Sequence, residues 1–110
     1  MKLLNYFKLE KKWCQNANIL DKNGKEVSLT VKYPNDELDF LQVAEKMSLY
    51  GAISVFYPAY SQSRDNVVHK LKSAIYKHTG KIMTIAAFNN DPKTTFADVK
   101  RVLELSVATD

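Results

Sequence analysis

Apolar residues recur along this chain with two different periods. Val27-Ser28-Leu29-Thr30-Val31-Lys32-Tyr33 steps apolar, polar, apolar, the period of a half-buried strand. It follows Asp21-Lys22-Asn23-Gly24, a turn signal because Asn and Gly accept positive φ. Residues 15–33 therefore read as a β-hairpin. Leu3 to Leu9 fits both periods. An extended chain puts Leu3, Phe7, Leu9 and Trp13 on one side, a helix groups Leu3, Tyr6, Phe7 and Trp13, and the strand is preferred.

The longer period begins after Pro34. Asn35 or Asp36 is positioned to cap a helix over about 36–50, which places Phe40, Val43, Ala44, Met47 and Tyr50 on one face, with Gly51 as its stop. Ala52 to Tyr57 is a short apolar run rich in β-branched and aromatic residues, read as a buried strand. Pro58 to Ser63 reads as a loop. Ser63 then caps a second helix that ends at Gly80, with Asp65 in its first turn and Val68, Leu71 and Ile75 facing inward beside Val67 and Ala74. Lys81 to Phe88 reads as another strand, and Asn89-Asn90-Asp91-Pro92 as a turn. Thr95 and Asp98 have the spacing of a capping box for a last helix that buries Phe96, Val99, Val102 and Leu103.

This order predicts a single α/β or α+β domain over residues 1–110: an N-terminal β-hairpin followed by α-β-α-β-α, with a mixed sheet of four or five strands and three helices. Residues 52–88 would form a right-handed βαβ crossover with strands 52–57 and 82–88 parallel. Size and composition agree with one small globular domain, since the chain has 110 residues, 45% hydrophobic and 25% charged.

Charge adds a location. The window 64–81 holds Arg64, Lys70, Lys72, Lys77 and Lys81 against Asp65 alone, which accounts for the whole net charge of +4. The remaining 92 residues carry 11 basic and 11 acidic side chains. His69 and His78 lie in the same window. A basic cluster on an otherwise balanced domain points to an anionic partner. On the helix its outward face carries His69, Lys72, Ser73, Tyr76 and Lys77, with Lys70 at the boundary. The blander alternative is a lysine-rich solvated face, helped by cations favoured near a helix C-terminus. Lysine supplies 14 of the 16 basic residues. A lysine gives phosphate a point charge, whereas arginine brings a fork suited to base edges, so weak sequence preference is expected.

Phe56, Tyr57 and Tyr60 precede the basic window. Bases stack on such rings for about 1–3 kcal/mol each while cations follow the backbone. Phe56 reads as core, and Tyr57 and Tyr60 as candidates for stacking. Tyr6, Phe7 and Trp13, interleaved with Lys8, Lys11 and Lys12, make a second such patch.

Enzymatic patterns are weak. Gly24, Gly51 and Gly80 are the chain's three glycines and are too far apart for a phosphate loop. His69 and His78, nine apart on one helix, face different ways and join no cysteine pair. Cys14 stands alone, which excludes an intramolecular disulfide and suits a reducing compartment. No cofactor and no metal is expected. The N-terminus lacks a signal-peptide stretch and no apolar run has membrane-span length, so the expectation is a cytoplasmic protein without a membrane.

The reading that follows is a small, basic, non-enzymatic nucleic-acid-binding protein (DNA or RNA), weakly specific and favouring single strands. Arg64, Lys70, Lys72, Lys77 and Lys81 would contact phosphates, and Tyr57 and Tyr60 would stack bases. The alternative is a protein-interaction module, an inhibitor, adaptor or homo-oligomeric subunit, docking through Leu38, Leu49 and Leu105 on outward helix faces.

Overall fold

A computed structural model describes residues 2–28 and 36–108, the side chains of 36–39 and 108 lying outside that description. The chain passes through α1 (Lys2–Tyr6), a 3₁₀ turn (Glu10–Lys12), β1 (Ile19–Asp21), α2 (Asp36–Val43), β2 (Ala44–Met47), α3 (Leu49–Phe56), α4 (Gln62–Thr79), α5 (Ile85–Asn90) and α6 (Phe96–Ala108). Among the described residues there are thus six helices and a two-stranded antiparallel sheet. The expected mixed sheet of four or five strands with three helices does not form.

The largest correction is the run over 52–57, which is α3 and not a strand. A continuous apolar run has no period, so a buried strand and a buried helix look alike in it. The deciding residue is Ser48, whose Oγ accepts the Gly51 N–H at 3.0 Å and starts the helix. α3 packs against α1, α2, α4 and α5 and buries six of its eight residues. Gly51 sits inside it rather than at a helix end. A Cβ there would lie 2.1 Å from the Asn18 carbonyl oxygen, which meanwhile accepts the Ser48 N–H at 2.9 Å. Glycine is required at 51 so that the backbone entering β1, at Asn18, can cross the helix at contact distance.

Lys81 to Phe88 is also not a strand. Thr84 Oγ1 accepts the Ala87 N–H at 3.0 Å and opens α5. Ile85 and Phe88 turn inward at a spacing of three, while Ile82 lies outside. With neither strand present, no βαβ crossover exists over 52–88. Leu3 to Leu9 begins as α1, and Leu3 and Phe7, four apart, are both fully buried. The helix expected over 36–50 is cut at Val43. Residues 44–47 pair with β1 instead, Ile19 opposite Met47 and Leu20 opposite Lys46, because that pairing buries Met47 completely and satisfies backbone groups that a helix would satisfy alone.

The hairpin survives in a shortened form. Gly24 takes φ 77°, Asp21 Oδ1 accepts the N–H groups of Asn23 and Lys25 at 2.9 Å each, and the returning chain bridges Leu20 through Glu26. Its expected second strand lies outside the described residues from 29 onward.

α4 starts at Ser61 rather than Ser63, since Ser61 Oγ accepts the Arg64 N–H at 3.2 Å. It ends as expected at Gly80 with φ 74°. Val67, Leu71, Ala74 and Ile75 are buried along its inner face, against α6 and α5. α6 buries Val99, Val102 and Leu103. Its capping box is complete: Asp98 N–H donates to Thr95 Oγ1 at 3.2 Å, and Thr95 N–H donates to Asp98 Oδ2 at 2.8 Å.

Candidate nucleic-acid interface

The inner face of α4 fixes its outer face. Eighteen residues give about 27 Å of helix, and the residues opposite Leu71 and Ala74 are turned to solvent. His69, Lys72, Tyr76 and Lys77 are exposed, with Ser73 partly so. At about 100° per residue, Tyr76 lies between Lys72 on one flank and Lys77 on the other. Lys70 is partly buried on the Lys77 side. Asp65, also exposed, places one negative charge near the N-terminal end of this face.

The chain after Gly80 completes the surface. Thr79 Oγ1 accepts the Lys81 N–H at 3.1 Å, and the segment 81–83 lies beside the helix. His69, Lys72, Ser73, Tyr76, Ile82 and Met83 line a hollow of about 260 Å³. Tyr76 is 54% and Ile82 is 94% exposed, so this hollow carries a ring and an aliphatic side chain together at the surface. A neighbouring hollow of about 200 Å³ shares Met83 and is lined by His78, Lys81 and Lys93, with Asp91 and Asp98 also at its wall. Lys72 thus borders the first depression, and Lys81 and Lys93 the second.

Other expected site residues lie elsewhere. Arg64 projects from the inner arc of α4, and its Nη2 donates to Ser54 Oγ at 2.8 Å, so it ties α4 to α3. Tyr57 ends α3 half-buried against the core, and burial raises the pKa of its hydroxyl. Tyr60 is fully exposed, with φ 58°, but it precedes the first turn of α4 while Lys77 and Lys81 lie at the far end. The structure sets Lys72, Tyr76 and Lys77 on one arc of α4, Ile82 with Lys72 and Tyr76 at the first hollow, and Lys81 at the second. It separates them from Arg64, Tyr57 and Tyr60. Tyr76 was legible as a residue four after Lys72, hence on the same arc. Ile82 was hidden by the strand reading of its segment.

The N-terminal aromatic patch is not an open surface. Phe7 is fully buried, Tyr6 packs edge-on against it with centroids 5.0 Å apart, and burial pushes the Tyr6 hydroxyl up to about 12. Trp13 Nε1 donates to Asn89 Oδ1 at 2.8 Å. Nor do two of the three leucines lie on an outward surface. Leu49 is fully buried and Leu105 is partly buried against the core, while the Leu38 side chain is outside the described residues.

Burial pushes the Cys14 thiol up to about 11, and its Sγ donates to the Ala17 carbonyl at 3.4 Å; such a thiol is a poor nucleophile at neutral pH. Among the described residues no group of three or more His, Cys, Asp or Glu side chains could hold a metal ion, and no helix is long and apolar enough to cross a membrane. His78 Nε2 lies 2.9 Å from Asp98 Oδ1 and joins the end of α4 to the start of α6.

No curated protein and no solved structure matches the chain. A family model does, over residues 7–108, and by that match the chain belongs to a family described as a family of unknown function (DUF6197).

Proposed function

We propose that this protein binds single-stranded nucleic acid without catalysing a reaction and with weak sequence preference, through the outer face of α4 and the segment 81–83. The observation that carries this reading is the exposed Tyr76 ring, between Lys72 and Lys77 on the outer arc of α4 and beside Ile82 and Met83. Lysines that track phosphates release counterions, and an accessible ring gives an unpaired base a stacking surface. A duplex keeps its base faces covered and would use the charges alone. The scarcity of arginine on this face supports phosphate tracking over readout of base edges.

The test is fluorescence anisotropy of a labelled single-stranded oligonucleotide at two or more salt concentrations, with a duplex control. Three phosphate contacts at about 0.7 each give a log–log salt slope of about −2. The triple variant Lys72→Glu, Lys77→Glu, Lys81→Glu is expected to abolish binding. Unchanged affinity in that variant, or no binding by the wild type at low salt, overturns the proposal.

A further inference from the structure

The hollow beside Tyr76 suits something more particular than a polyanion. We infer that it is a slot for one unpaired nucleobase, walled by Tyr76 and Ile82, with the adjoining phosphates beside Lys72 and Lys81. This rests on the reading of the α4 face as a nucleic-acid surface and goes further, because lysines alone would bind any polyanion.

Three observations lead to it. The volume, about 260 Å³, falls below the roughly 300 Å³ at which pockets for whole drug-sized molecules begin, and suits a single ring system better than a helix or a peptide segment. Its lining is mixed: a ring, a branched aliphatic chain and the flexible Met83 on the apolar side, with His69, Lys72 and Ser73 on the polar side. Apolar walls accept a flat ring face, and the polar groups face an edge or a phosphate. Finally, Ile82, next to Lys81 in the chain, is 94% exposed at the rim of the hollow. The surrounding cations select a ligand that is anionic along its backbone and flat and apolar on its rings. Single-stranded nucleic acid combines the two.

The adjoining hollow shares Met83 and is lined by Lys81 and Lys93 together with Asp91 and Asp98, so a strand leaving the slot would track the two lysines past two carboxylates. His69 and Ser73 at the slot's edge offer a few hydrogen bonds without arginine's planar fork. The expected discrimination among bases is accordingly modest, while the discrimination between a base and no base is large.

The experiment compares oligonucleotides of one length by anisotropy: dT₁₅, rU₁₅ and a strand in which abasic spacers replace every base, with polyglutamate as an acidic polypeptide competitor. The wild-type full chain is expected to bind the base-bearing strands about tenfold or more tighter than the abasic strand, the scale of one stacked base. Tyr76→Ala and Ile82→Ser, both at exposed positions and checked for folding by circular dichroism, are expected to remove most of that ratio while leaving the salt slope unchanged. Tyr76→Phe should retain it. A preference for dT₁₅ or for rU₁₅ identifies the sugar, and either supports the slot. Equal, salt-dependent binding of base-bearing and abasic strands overturns the slot and leaves the polyanion surface standing. Competition by polyglutamate as strong as by dT₁₅ also overturns it. No binding of any strand at low salt overturns the nucleic-acid reading itself.

Discussion

Asn89 uses both ends of its amide inside the protein. Its Oδ1 accepts the Trp13 indole N–H at 2.8 Å and the Leu49 backbone N–H at 3.0 Å, and its Nδ2 donates to the Cys14 carbonyl at 3.1 Å and to Asn90 Oδ1 at 2.9 Å. The side chain is fully buried, and turning the amide over would set its NH₂ against two donors. Gln15 adds to the same junction, its Nε2 donating to the carbonyls of Asn89 and Asp91 at 3.0 and 2.9 Å. A buried donor or acceptor stripped of its partner costs about 1–3 kcal/mol. Asn89→Ala strips several and should destabilise by about 3 kcal/mol or more in urea unfolding. Asn89→Asp should be no milder, because the acid faces two oxygens with no donor of its own. A loss below about 1 kcal/mol in either variant would show that water replaces the network. At Asp98 the hydrogen bond from the Thr95 backbone, then the one with His78, holds the carboxyl below its ordinary 3.8. A depressed carboxyl stabilises the fold above its unfolded pKa and loses that contribution as pH falls through the folded value. Asp98→Asn keeps an oxygen for the Thr95 N–H but loses the charge, and should therefore unfold more readily than the wild type at neutral pH, by about 0.3–1 kcal/mol for the anion removed from the first turn of α6. The gap should close in acid, as read by thermal melts from pH 6 to pH 2.

At the scale of elements, Gly51 sets two rules against each other. Within a helix, alanine is favoured over glycine by about 1 kcal/mol, so propensity predicts that Gly51→Ala stabilises. The Asn18 carbonyl oxygen, 2.1 Å from where the new Cβ would stand, predicts the reverse. That oxygen belongs to backbone already bonded to Ser48 and has little room to retreat. A loss of about 3 kcal/mol is expected, against about 1 kcal/mol for Gly80→Ala, where the cost is only the positive φ and nothing crowds the site. A more stable Gly51→Ala variant would mean that α3 and β1 can move apart. The same crossing explains why the elements were only half legible. Local rules located the Gly24 turn, the inward stripe of α4, its stop at Gly80 and the box at Thr95 and Asp98, because each is settled within a few residues. The run over 52–57 needed its surroundings, being covered on nearly every side. Met47 left the helical pattern because a partner strand some 28 residues earlier in the chain, at Ile19, was available. The lysine face was readable from charge and period together. The ring and the aliphatic wall that make it more than charge depended on the path of the chain after Gly80.

At the scale of the molecule, the cations of residues 64–81 divide between two tasks. Arg64 stitches α4 to α3, while Lys72, Lys77 and Lys81 stand on exposed positions. Charge reversal of those three lysines should lower stability by no more than about 1–2 kcal/mol, the loss coming from Lys77 and Lys81 near the C-terminus of α4, while Arg64→Ala should destabilise by about 1 kcal/mol through the lost hydrogen bond and leave oligonucleotide affinity little changed. The opposite pattern would mean that the exposed lysines hold the fold together. The bond between Trp13 and Asn89 spans 76 positions of the chain, and its consequence belongs to time rather than to space. A ribosome releasing this protein exposes residue 13 long before residue 89 is made: the N-terminal segment can meet β2 and α3 once they emerge, but the Trp13 indole waits for α5 to receive its hydrogen bond. The single tryptophan sits where the early and late parts of the chain meet, and its fluorescence is a built-in clock for the docking of α5 on the N-terminal segment.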